Sequence, residues 1–144
     1  MSEADVQAYV ARREALRAAL LDLDRHLDEL STETRPDGER FRVAVEQFVA
    51  TVQHHVEDAE APDGLLAQIL DTAAWYASRV ERLRSEHDEL LADAGDLLDR
   101  AGTADDVRPL LAVARQLSRR VAEHRRRGTT LLVDATMLDL AAGD

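Results

Sequence analysis

The sequence predicts an all-α protein: an up-down-up-down four-helix bundle with a short connecting helix between helices two and three. Three observations predict it. The strong helix formers Ala, Leu, Arg and Glu dominate the 144 residues, and aromatic residues make up only 3%. Gly and Pro fall in a few narrow zones and leave four long uninterrupted stretches. Within each stretch apolar residues recur at steps of three and four, the seam of helices packed side by side. Short connections favour antiparallel neighbours. At this length residues 1–144 read as a single domain.

The first helix is expected from Ser2, as N-cap, to Leu30, with Leu16, Leu20, Leu23, Leu27 and Leu30 on its seam. Residues 31–38 (STETRPDG) make the first turn. The second helix spans about 37–60, with Phe41, Val45, Phe48 and Val52 facing inward. After residues 61–64 (APDG), Asp63 is placed to cap a short helix over 65–70. A break at 71–72 then leads into the third long helix, which ends near Arg100 and buries Val80, Leu83, Leu90, Ala94 and Leu97. Trp75 and Tyr76, at its start, are expected to pack the connector. The fourth helix is expected to open near Thr103, with Asp106 completing a capping box and Pro109 imposing a kink or a later start. Its seam runs through Val107, Leu110, Ala114, Leu117 and Val121 to Leu131, Ala135 and Leu138.

Charge and composition exclude several function classes. The formal net charge is −11, which opposes nonspecific nucleic-acid binding, a process that needs a basic footprint. No apolar run approaches the roughly 18 residues of a membrane span, and the N-terminus lacks a secretory pattern, so the expected location is cytoplasmic. There is no cysteine, which removes disulfides, thiolate metal sites and cysteine nucleophiles together. Any metal chemistry must use His, Asp and Glu.

Five histidines are present, and the seams sort them. Val52 plus three is His55, Leu83 plus four is His87, and Val121 plus three is His124. Three helices thus each carry a histidine at a core-facing position. On the first helix the same extension from Leu16 reaches Arg13 and then Tyr9. Counted from the first turn, Arg13 and His55 lie at nearly one level, whereas His87 and His124 are offset by about six residues, or roughly 9 Å. His26 lies near the first turn and reads as a surface residue. One buried histidine commonly finds only a hydrogen-bond partner. Three on three helices, each losing hydration, are explained together by a shared ligand.

The ordered set His54-His55-Val56-Glu57-Asp58, Glu86-His87-Asp88-Glu89-Leu90 and Glu123-His124 resembles the hemerythrin-like (HHE cation-binding) domain family. The resemblance implies a four-helix bundle holding a non-haem di-iron centre, in a protein that binds or senses oxygen or nitric oxide or handles iron. It also exposes departures. Arg13-Glu14-Ala15-Leu16-Arg17 puts an arginine where the family's first helix supplies a histidine, and His124 is followed by Arg125-Arg126-Arg127-Gly128-Thr129 with no carboxylate one turn on. On the second helix the motif favours His54 as the inward residue, with Asp58 one turn later, whereas periodicity favours His55. A guanidinium adds positive charge where cations would sit and cannot act as a ligand. Arg13 is therefore expected to pair with Asp58 or Glu57. What remains is an altered or vestigial site of His54 or His55, His87 and His124 with Asp58, suited to Fe or Zn by ligand type, with a metal-free state weighed beside it.

No Glu-x-x-His, no His-Glu-x-x-His, no phosphate-binding glycine loop and no Gly-x-Ser-x-Gly occurs, so an enzyme reading ranks last. The Arg125–Arg127 run reads as a solvated helix face. The competing function is a metal-free interaction module that forms a homodimer or docks a protein partner through a helix face.

Overall fold

The computed structural model describes the backbone of residues 3–143 and their side chains except those at 5, 6, 9, 72 and 136–143. Most of the described residues are helical, and none of them is in a strand. Four long helices, α1 (Glu3–Ser31), α2 (Gly38–Glu60), α4 (Ala77–Thr103) and α5 (Arg108–Gly143), are joined with a short α3 (Leu65–Thr72) and one 3-10 turn (Ala74–Tyr76). Ser2, expected as the first N-cap, lies outside the described residues, as do the side chains of Tyr9 and Leu138.

The helix starts follow local chemistry. Asp37 caps α2, its Oδ1 accepting from the backbone N–H of Glu39 (3.0 Å) and Arg40 (3.3 Å). Two expected caps are corrected. Thr103 closes α4 instead of opening α5, its hydroxyl donating back to the Asp99 carbonyl. Asp106 alone serves the next helix, accepting from the Arg108 N–H at 3.0 Å. Pro109 therefore falls in the first turn of α5, where its missing N–H would have had no helical partner. At α3 the capping position is Gly64, with no side-chain cap, and Asp63 instead offers its backbone carbonyl to Gln68 Nε2. Gly64 sits in a tight corner: a Cβ there would crowd the carbonyls of Asp58 and Ala59, the second at 2.9 Å. Only Tyr76 packs the connector; Trp75 is 70% exposed.

Each long helix contacts two others, α1 touching α2 and α5, and α4 touching α2 and α5. Polar pairs between neighbours run in opposite sequence orders. Arg12–Asp58 and Glu29–Arg40 join α1 to α2. Asp28–Arg115, Asp24–Ser118 and Arg13–Thr129 join α1 to α5. Arg79–Asp134, Glu86–Arg127 and Asp93–Arg120 join α4 to α5.

The seam residues from Leu16 to Ala135 named above are all buried. They form two apolar clusters. The larger holds Leu23, Leu27, Phe41, Phe48, Val52, Leu90, Leu97 and Val121, and the smaller packs α3 and Tyr76 against Val80, Leu83, Leu131 and Ala135. Val52, Leu90 and Val121 belong to one cluster and Leu83 and Leu131 to the other, so the seam histidines fall at the level between them. No helix among the described residues is long and apolar enough to cross a membrane.

Candidate metal centre

His55, His87 and His124 come together. His87 stands 16 residues before the end of α4 and His124 stands 16 after the start of α5. The offset expected from the sequence vanishes because the turn is centred between residues 105 and 106, later than the glycine-marked break suggested. On the other side, Arg13 is 18 residues before the end of α1 and His55 is 17 after the start of α2. All four side chains therefore reach one layer.

The imidazoles meet edge to face, with centroids 4.7 Å apart for His87 and His124, 5.4 Å for His55 and His124, and 5.6 Å for His55 and His87. Nε2 of His55 is 3.4 Å from Nε2 of His124. One ring nitrogen from each residue lies within 4.8 Å of the other two. They border a cavity of about 20 Å³, room for one ion or water, whose wall includes Arg13 and Arg125.

Carboxylates face the outer nitrogens. Glu86 Oε2 is 3.4 Å from His124 Nδ1, and Glu60 Oε2 is 3.1 Å from His87 Nδ1, although the latter pair is not aligned for a good hydrogen bond. Glu86 is fixed by a two-pronged contact with Arg127, Nε to Oε1 at 2.8 Å and Nη2 to Oε2 at 2.7 Å. This is the outer support that metal-binding histidines use to fix their tautomer, leaving Nε2 for the centre.

Burial sets the charge state. It drives His55 down to about 3, helped by the neighbouring His124, His87 and Arg13. It drives His124 down to about 4, with His87 adding to the effect and Glu86 opposing it. His87 is lowered too, again mainly by burial, against the pull of Glu60. Burial pushes Glu86 up, but the hydrogen bond from Arg127 and the field of His124 outweigh it and leave the carboxyl below its ordinary value. Near neutral pH the layer thus holds three uncharged imidazoles, the form that binds metal.

The other sequence candidates lie elsewhere. Periodicity, not the motif, gives the inward residue of the pair: His54 is 79% exposed and stands 3.9 Å from Glu57. Asp58 faces the first helix but its ion pair is with Arg12, at 3.2 Å. Arg13 donates to the Thr129 hydroxyl across the α1–α5 contact. His26 is half-buried and bonds within its own helix, its Nδ1 being 2.8 Å from the Asp22 carbonyl. Sequence reasoning missed Glu60 and Glu86, and its reading of Arg125–Arg127 as a solvated face holds only for Arg126, since Arg125 borders the cavity and Arg127 binds Glu86. Glu86 was in view as the residue before His87, and Arg127 follows His124 by three on the same helix face. Glu60 is five residues past His55, beyond the one-turn spacing at which a carboxylate was sought.

A di-iron centre does not fit this layer. Two irons need bridging carboxylates, yet among the described residues no acidic side chain borders the cavity and two arginines do. One metal ion fits better. A tetrahedral zinc with bonds of about 2.0–2.1 Å would space its nitrogens by about 3.4 Å, the His55–His124 separation, and a pair at the 4.8 Å limit would close by about 1.4 Å. The chain matches no family model, no curated protein and no solved structure.

Proposed function

We propose that the protein is a hemerythrin-like up-down-up-down bundle that binds a single Zn(II) or Fe(II) ion through His55, His87 and His124. The observation that carries this reading is the convergence of three neutral imidazoles from three helices, His87 and His124 buried and backed by carboxylates at Nδ1 and His55 partly buried. The opposite order of the cross-helix pairs supports the up-down arrangement. The protein would supply three nitrogen donors and leave the fourth position of a tetrahedral ion to water, and Glu60, Glu86 and Arg127 would orient the rings. Binding rather than turnover is the proposed role, since the three imidazoles that line the cavity are all assigned to the ion.

The test is titration of the metal-free protein with Co(II) as a spectroscopic stand-in, followed by Zn(II) displacement. The expected result is one equivalent bound, visible tetrahedral d–d bands, and a rise in Tm that His87→Ala abolishes. A second reading, the metal-free interaction module, is favoured by one observation, the guanidiniums of Arg13 and Arg125 in the cavity wall. It predicts no bands, no gain in Tm from Co(II), Zn(II) or anaerobic Fe(II), and a His87→Ala effect limited to packing.

A further inference from the structure

The face between α4 and α5 carries a groove of about 270 Å³, just below the roughly 300–1,000 Å³ of ligand clefts. Its floor is Leu83 and Leu131, and four arginines surround it: Arg79 and Arg82 from α4, Arg126 and Arg127 from α5. Among the described residues Glu123 is the one carboxylate in its lining. In a chain of net charge −11 this local excess of positive charge runs against composition. A second groove nearby on the same helix pair provides a contrast, for there Arg119, Arg120 and Arg127 are balanced by Glu86, Glu89 and Glu123.

The charges around the first groove are only partly neutralised. Arg79 reaches Asp134 at 2.9 Å, and Arg126 reaches Glu123 at 3.1 Å. Arg127 is committed to Glu86, with Glu123 at 3.5 Å. Arg82 makes no ion pair among the described residues. An apolar floor beneath guanidinium donors selects for a ligand with an apolar body and an anionic, oxygen-bearing head, because guanidinium pairs with carboxylate and phosphate alike.

We propose that this groove binds a small amphiphilic oxyanion, a carboxylate or phosphate on a short apolar body, with the arginine methylenes and the outer edges of Leu83 and Leu131 packing the body and Arg82 and Arg126 holding the head. The groove shares Leu83 with the wall of the histidine cavity, and its Arg127 braces Glu86, but its proposed ligand chemistry does not rest on the metal reading. Octanoate and octyl phosphate are the probes, n-octanol and inorganic phosphate the controls, followed by amide NMR shifts and calorimetry on the full chain. At least one amphiphilic anion should bind with a dissociation constant of about 1 mM or tighter, shifting Leu83, Thr130 and Leu131, and the tighter of the two identifies the head group. Octanol and inorganic phosphate should each bind about tenfold more weakly, and binding should weaken with added salt. The exposed double variant Arg82→Ala/Arg126→Ala should lose about tenfold in anion affinity while keeping its helical circular dichroism, whereas Arg119→Ala should match the parent. The proposal is overturned if neither anion binds, if octanol binds as tightly as octanoate, or if the double variant keeps full affinity.

Discussion

A buried histidine shows how one residue can be a liability to the fold and an asset to a site. His55 and His124 titrate at about 3 and about 4 in the folded protein, against an ordinary value near 6.5 when unfolded. Between those limits the unfolded chain binds more protons than the folded one, so stability is full above about pH 6.5 and falls as the pH drops. The metal-free protein should therefore lose several kcal/mol between about pH 6.5 and 4, each group contributing at most about 1.4 kcal/mol per pH unit. Urea unfolding across that range measures it. A flat profile would mean that the imidazoles are hydrated rather than buried. The same residue scale explains why His54 was a false partner. Adjacent helical positions point about 100° apart, so only one of two neighbouring histidines can share a face with Val52.

At the scale of elements, the connections decide the levels. Asp37 and Asp106 fix where α2 and α5 begin, and those starting points put Arg13, His55, His87 and His124 in one layer. The corner at Gly64 does similar work for α3, which roofs the smaller apolar cluster. Its backbone is ordinary, so the constraint is steric: any Cβ would meet the last carbonyls of α2. Gly64→Ala should cost about 1–3 kcal/mol, the range for overpacking a closed site, as measured by chemical denaturation. Gly102→Ala, where a Cβ would meet nothing within 4 Å, is the matched control and should be near neutral or slightly stabilising.

For the whole molecule, the histidine layer interrupts what would otherwise be a continuous apolar core. Its two clusters meet at the level of three polar rings, which is costly for a bundle held together by Leu and Val. Replacing all three with leucine of similar volume should join the clusters and raise the stability of the metal-free protein by about 1–4 kcal/mol, since Arg127 still satisfies Glu86. The same variant should lose every metal-dependent rise in Tm. A triple variant less stable than its metal-free parent would show that the rings are needed for packing itself.

Periodicity was enough to find four long helices, the buried seam residues and the inward position of His55, His87 and His124, because a helix repeats every 3.6 residues whatever packs against it. It also singled out Arg13 as the odd member of that level. Sequence spacing did not reveal that Glu60 and Glu86 back the rings, that Asp58 belongs to Arg12, or that Arg127 spans from α5 to α4. Those pairings join residues on different helices, and their distances depend on where each turn is centred and how the helices are rotated. A shift of two or three residues in the centre of the α4–α5 turn moves His124 past His87 by about four to six residues, roughly 6–9 Å and more than one helical turn, enough to part the rings. The local code thus determined which side chains enter the core; only the packed helices decided which of them meet.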